Sequence, residues 1–268
     1  MRHNGLKPAT IDRKFRILKA ALKQAVRWEY LVASPAVNVT IPRHSRTRVQ
    51  APSHDELSTL LEASMEYSHE FGMFIRLSAA TGARRGEICA LRWSDVDFDG
   101  STIRIARAVV HGDDGSPVVK STKTGNTRTV TLDPGTVGLL RAYRTERAEQ
   151  ALGIGVRIED GFIFSHEADS SAPIRPDYVT MTFGRVREEQ GLRHVRLHDL
   201  RHHHATALLN AGVDLATVAG RLGHADGGRT TLTIYAHFMQ PADRVAADII
   251  GAVLQRSTVT NPPDRRIS

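Results

Sequence analysis

The stretch LHDLRHHHATALLNAG, residues 197–212, holds four of the chain's 13 histidines and reads as a helix over 197–211. On that helix His198 and Arg201 stand three residues apart and share a face. A guanidinium fork beside an imidazole suits an anionic oxygen. Arg supplies paired donors, and His donates or exchanges a proton near neutral pH. Two other readings of the same text are open. A polar, solvated helix face needs no ligand at all. His198 and His202, at i and i+4, also resemble the two ligands of an H-E-x-x-H metal motif with Asp199 in place of the Glu. That reading needs a third ligand and the Glu base, and Arg201 inside the motif would repel a cation.

Outward from this helix, amphipathic helical patterns fill both ends of the chain. Residues 9–30 carry Ile11, Phe15, Leu18, Leu22, Ala25 and Val26 at helical spacing, with Arg13, Lys14, Arg16, Lys19 and Lys23 between them. Residues 42–52, PRHSRTRVQAP, have little to bury and read as a basic linker containing Arg43, Arg46 and Arg48. Ser53 to Glu56 fit a capping box, and the helix through 71–80 is expected to stop at Gly82. The pattern then turns to strands: 101–110 alternates, Asp113-Asp114-Gly115 is a turn, and Val118-Val119 and 127–132 follow, with Thr124-Gly125-Asn126 read as the turn between them. Helices return over 136–152 and 176–190, and Asp214 caps a short one ending at Leu222. A last amphipathic helix is expected over 241–254, and 257–268 is expected to be a disordered tail. The fold class is therefore mainly α with a small antiparallel β-sheet.

The chain has 268 residues, 41% hydrophobic and 24% charged, which excludes a collagen, a disulfide scaffold and a mainly disordered protein. Its single Cys89 forms no internal bridge, and no apolar run spans a membrane, so a cytoplasmic location is expected. Thirty-six Lys and Arg against 29 Asp and Glu leave a net charge of +7, which attracts polyanions and nucleic acid first among them.

Other candidate residues gain weight together. TGARRGE places Arg84 and Arg85 at a helix start, where free N–H groups and a guanidinium suit a phosphate, and Glu87 can orient one of them. Lys123 and Arg128 flank the expected hairpin turn in TKTGNTRTV, His224 ends RLGH, and Tyr235 lies in TTLTIYAH. Alone, each has a bland reading: a capped helix with solvated arginines, a solvated hairpin lysine, a half-buried tyrosine.

In combination and in this order, Arg84, Lys123, His198, Arg201, His224 and Tyr235 resemble the catalytic set of the tyrosine recombinase (phage integrase) family, over residues from about 53 to 254. The resemblance implies the integrase catalytic-domain fold over 49–256, preceded in 1–48 by a truncated helical core-binding domain and linker. It implies cleavage and rejoining of double-stranded DNA through a covalent 3′-phosphotyrosine, with Tyr235 as nucleophile, Lys123 as general acid and Glu87 supporting an arginine. No metal, ATP or other cofactor is expected. A homotetramer on DNA, accessory DNA-bending or directionality proteins and association with the nucleoid are further expectations. Lys14, Lys19, Arg43, Arg46, Arg48 and Arg128 are candidates for DNA contact. The alternatives are a DNA-binding remnant without recombination activity and a DNA-relaxing enzyme of the type IB topoisomerase kind. The sequence departs from the family between His224 and Tyr235, where Asp226-Gly227-Gly228 replaces the common Ser and apolar residue and loosens the loop.

Overall fold

The computed structural model describes residues 6–40, 51–121, 127–158, 160–224, 228–235, 248, 250–252 and 254; of residues 9 and 233–235 it gives the backbone alone. The chain divides into two units, Met1–Arg48 and Val49–Ser268. Among the described residues no helix is long and apolar enough to cross a membrane.

The first unit is built on α1 (Pro8–Arg27), which starts with proline in its first turn, where a missing N–H costs nothing. Phe15 is buried, Lys19 lies over its ring, and an Asp12–Arg16 ion pair one turn apart braces the outer face. Leu18, expected on the apolar face, is 45% exposed.

In the second unit, α2 (His54–Tyr67) opens with the expected capping box: Glu56 N–H donates to Ser53 Oγ and Ser53 N–H donates to Glu56. The next helix, α3 (His69–Thr81), is the hub, with Phe71, Met73, Phe74, Ile75 and Leu77 all buried. Each such side chain contributes about 1.5–3 kcal/mol on burial. Gly82 ends α3 in the left-handed conformation at φ 62°, and α4 (Arg85–Cys89) starts three residues on.

The strands are β1 (Val96–Asp97), β2 (Thr102–Ile105), β3 (Arg107–His111), β4 (Pro117–Ser121) and β5 (Arg128–Thr131). The expected 101–110 strand is broken at Ala106, and the expected β4–β5 hairpin does not form. β3 pairs with β4 across the Asp113–Gly115 turn, while β5 pairs antiparallel with β2 in the sheet β1-β2-β5. Burial decides the partner. The β2–β5 register sets Ile103 opposite Val130, both in the core, whereas β4 has no fully buried residue and forms a surface ribbon with β3.

The remaining helices follow the predicted order: α5 (Pro134–Gly153), α6 (Pro176–Glu189), α7 (Asp199–Asn210), α8 (Leu215–Leu222) and α9 (Arg229–Tyr235). Asp133 and Asp214 cap α5 and α8 through Thr136 and Thr217 N–H. The core closes through Phe74, Phe164, Tyr143 and Trp93, successive ring centroids lying 5.1, 6.1 and 6.1 Å apart. Of the expected last helix, residues 248, 250–252 and 254 are described and helical. Most of the expected linker and the whole expected tail lie outside the described residues.

Candidate active site

Three chain reversals meet at one place: the α3–α4 turn, the start of α7 and the end of α8. Arg84 is the N-terminal cap of α4, and its backbone N–H and its Nη1 donate to the two oxygens of Glu87 at 2.8 and 2.9 Å. Glu87 is buried and takes a second guanidinium, Arg128 Nη2, at 2.7 Å. Burial alone would raise the Glu87 carboxyl, but its bonds and charge contact with Arg128, and then Arg84, outweigh that and hold it below the ordinary carboxylate range.

Arg128 was expected to face DNA, and the structure corrects this. Its side chain is only 8% exposed, and its Nε donates to the Arg221 carbonyl at 2.7 Å. A guanidinium buried in the protein needs a buried carboxylate, and Glu87 supplies one.

Arg201 is 5% exposed. It donates to the carbonyls of Gly82 and Leu222, each at 2.6 Å, and lies 2.8 Å from His224 Nε2. The other His224 nitrogen, Nδ1, lies 2.6 Å from Thr231 Oγ1. His198 sits at the cap of α7, held below its ordinary pKa by burial first and then by the Arg201 charge, so the ring is neutral at pH 7.

Arg84, Arg85, Arg187, Arg196, His198 and Arg201 line one cavity of about 580 Å³, and among its described lining residues none is acidic. Five guanidinium groups around one hollow make a site for an anion with several oxygens.

The structure thus gathers Arg84, Glu87, His198, Arg201 and His224. Lys123 lies outside the described residues, as do Arg43, Arg46 and Arg48; Tyr235 is the last residue of α9, and its side chain also lies outside them. Lys14 and Lys19 are exposed on α1. His202 is buried with its pKa lowered to about 4, by burial and then His198; His203 Nδ1 donates to the Pro52 carbonyl and His204 Nδ1 to that of Ala79. Cys89 is buried and its thiol is pushed up to about 12, which leaves no thiolate at neutral pH. Among the described residues no group of three metal-ligand side chains forms around His198 and His202. Two contacts at the site escaped sequence reasoning. Asp199 is buried and binds Arg196 through both oxygens, and Thr231 contacts His224; the signals were spacings of three from Arg196 and four to Tyr235.

A model of the phage integrase family matches residues 52–240. A XerC-like tyrosine recombinase of Caldanaerobacter subterraneus subsp. tengcongensis is 27% identical over 252 residues, covering 87% of this chain and 63% of that protein. The ICEBs1 integrase of Bacillus subtilis is 27% identical over 252 residues, covering 93% of this chain and 67% of the relative. The chain therefore spans about two thirds of the length of these relatives. Among solved structures, the Tn1549 transposon integrase in complex with transposon right end DNA superposes with a TM-score of 0.76 at 19% identity, over 94% of this chain and 82% of that one. The XerA recombinase gives a TM-score of 0.53 at 24% identity, over 70% of this chain and 61% of that one. These likenesses establish the fold as that of the tyrosine recombinases and integrases.

Proposed function

The chain belongs to the phage integrase family, and from that premise we propose that it is a site-specific DNA recombinase acting through a covalent 3′-phosphotyrosine. The observation that carries this reading is the acid-free cavity where Arg84 and Arg201 meet beside His198, with His224 bonded to Arg201.

Phosphoryl transfer asks a protein for positioning and for positive charge on the non-bridging oxygens. Arg84 and Arg201 supply that charge as planar forks. Their geometry is set beforehand, Arg84 by Glu87 and Arg201 by two backbone carbonyls. The Tyr235 oxygen attacks phosphorus as the bond to the 5′ oxygen breaks. A phenol of pKa about 10 needs help to lose its proton, and the neutral His198 ring has a lone pair to take it. Lys123 protonates the departing 5′ oxygen, and His224 hydrogen-bonds the phosphate. The phosphotyrosyl bond conserves the energy of the broken one, so rejoining needs no ATP, and the cationic side chains take the place of a metal.

Residues 1–48 act in this reading as part of a core-binding domain, with Lys14, Lys19, Arg43, Arg46 and Arg48 along the DNA backbone, and 49–256 as the catalytic domain. Double-stranded DNA is the partner, a homotetramer the working assembly, and accessory bending or directionality proteins its helpers at the nucleoid.

The test is a nicked DNA carrying the recombination site, incubated with the protein in EDTA. A covalent protein–DNA adduct is expected from the wild type and none from Tyr235→Phe. An adduct that survives Tyr235→Phe would overturn the proposal. Relaxation of supercoils at any sequence would move it to a topoisomerase.

A further inference from the structure

Thr231 lies on α9, one helical turn before Tyr235, and is completely buried. Its hydroxyl is 2.6 Å from His224 Nδ1, and His224 Nε2 is 2.8 Å from Arg201 Nη2. The chemistry of the partners fixes the ring. A guanidinium is always a donor, so Nε2 must offer it a lone pair. A proton on Nε2 would set two donors against each other. The proton of a neutral ring is therefore on Nδ1, and it is donated to Thr231 Oγ1.

We propose that Thr231 is a positioning residue: by accepting the proton that Arg201 leaves on His224 Nδ1, its hydroxyl docks α9, and with it Tyr235, onto the phosphate cradle of the same chain. The chain of contacts runs from Thr231 through His224 and Arg201 to the Gly82 carbonyl beside Arg84. One hydroxyl thereby ties the segment that ends at Tyr235 to Arg201 and, through it, to the turn two residues before Arg84. When Nε2 turns to a phosphate oxygen as donor, the ring takes a second proton from solvent while Nδ1–H stays on Thr231. The catalytic consequence rests on the recombinase reading; the ring tautomer does not.

The two parts are read separately. In the free protein, long-range proton–nitrogen NMR of the labelled imidazoles, with His224 assigned by its loss in His224→Gln, is expected to show His224 protonated on Nδ1. In Thr231→Val Arg201 still requires the lone pair on Nε2, so the tautomer should stay while the Nδ1 proton, having lost its acceptor, exchanges faster with solvent; Thr231→Ser should keep the exchange slow. On a nicked substrate Thr231→Val should slow single-turnover cleavage about tenfold, the worth of one buried hydrogen bond, with the Kd for DNA unchanged and the rate restored by Thr231→Ser. Protonation of His224 on Nε2 in the wild type, or an unchanged Nδ1 proton exchange and cleavage rate in Thr231→Val, would overturn the proposal. A wild type that forms no adduct defeats the recombinase reading and leaves the NMR result to decide the tether.

Discussion

A buried imidazole wedged between a carbonyl and a guanidinium has room for one proton. His204 is in that position: Nδ1 donates to the Ala79 carbonyl at 2.9 Å, and Nε2 faces Arg221 Nε at 3.4 Å. Burial first, and Arg221 second, bring its pKa down to about 4. The unfolded chain keeps the ordinary value near 6.5, so between these two the unfolded state binds a proton that the folded state refuses. The stability is whole above about pH 6.5 and is lost as pH falls, by about 2 kcal/mol at pH 5. Between pH 7.5 and pH 5 the His204 share is expected to lower thermal unfolding by about 5 °C, and His204→Gln should remove that share, leaving the share of His202. An equal shift in wild type and variant would refute the assignment. At this scale the sequence is readable where a contact depends on local spacing: Glu87, three residues past Arg84, accepts from its Nη1. Arg128 was not readable, because its direction depends on a carboxylate 41 residues away.

Elements rather than single residues hold the cradle in shape. Arg128 begins β5, Glu87 lies in α4, and the Arg221 carbonyl ends α8, so one guanidinium joins three elements that share no sequence neighbourhood. Gly223 follows in the left-handed conformation at φ 66°, and a Cβ there would stand 2.7 Å from the Arg128 guanidinium. The tight turn and the buried arginine therefore require each other. Glu87→Gln leaves two guanidinium groups facing a neutral amide, and Arg128→Gln leaves a carboxylate half-paired. Each change is expected to cost about 3 kcal/mol in urea unfolding. The double variant should cost clearly less than the sum of the two, the signature of a direct pair. Simple additivity would show that the pair does not act as a unit. The mistaken hairpin belongs to this scale as well. Turn residues in TKTGNTRTV suggested that β4 and β5 pair, but alternation along a strand does not say which other strand completes the core. Ile103 and Val130 settled that through burial.

Charge is spread very unevenly over the whole molecule. Residues 1–48 contain eleven Lys and Arg against two Asp and Glu, whereas the other 220 residues contain 25 against 27. The net basicity that first suggested nucleic acid therefore resides in the first unit, and the second carries its arginines as a local concentration around one cavity. In the proposed reading this separates two electrostatic tasks: long-range attraction of a polyanion, and short-range charge at a reacting phosphate. The sequence made both legible as residue types, but the division appears only once the cavity arginines are seen to converge from α4, α6 and the start of α7. If the first unit does the attracting, exposed lysines on α1 should govern the salt dependence of DNA binding. Replacing Lys14, Lys19 and Lys23 with Gln is expected to reduce the slope of log K against log salt by about two to three. The cleavage rate of bound nicked DNA should not change, because the cradle is built from residues of the second unit. Binding measured between about 50 and 200 mM salt covers the range where that slope is steep. An unchanged slope would place the attraction elsewhere, and a lost cleavage rate at full occupancy would show that the two tasks are not separate.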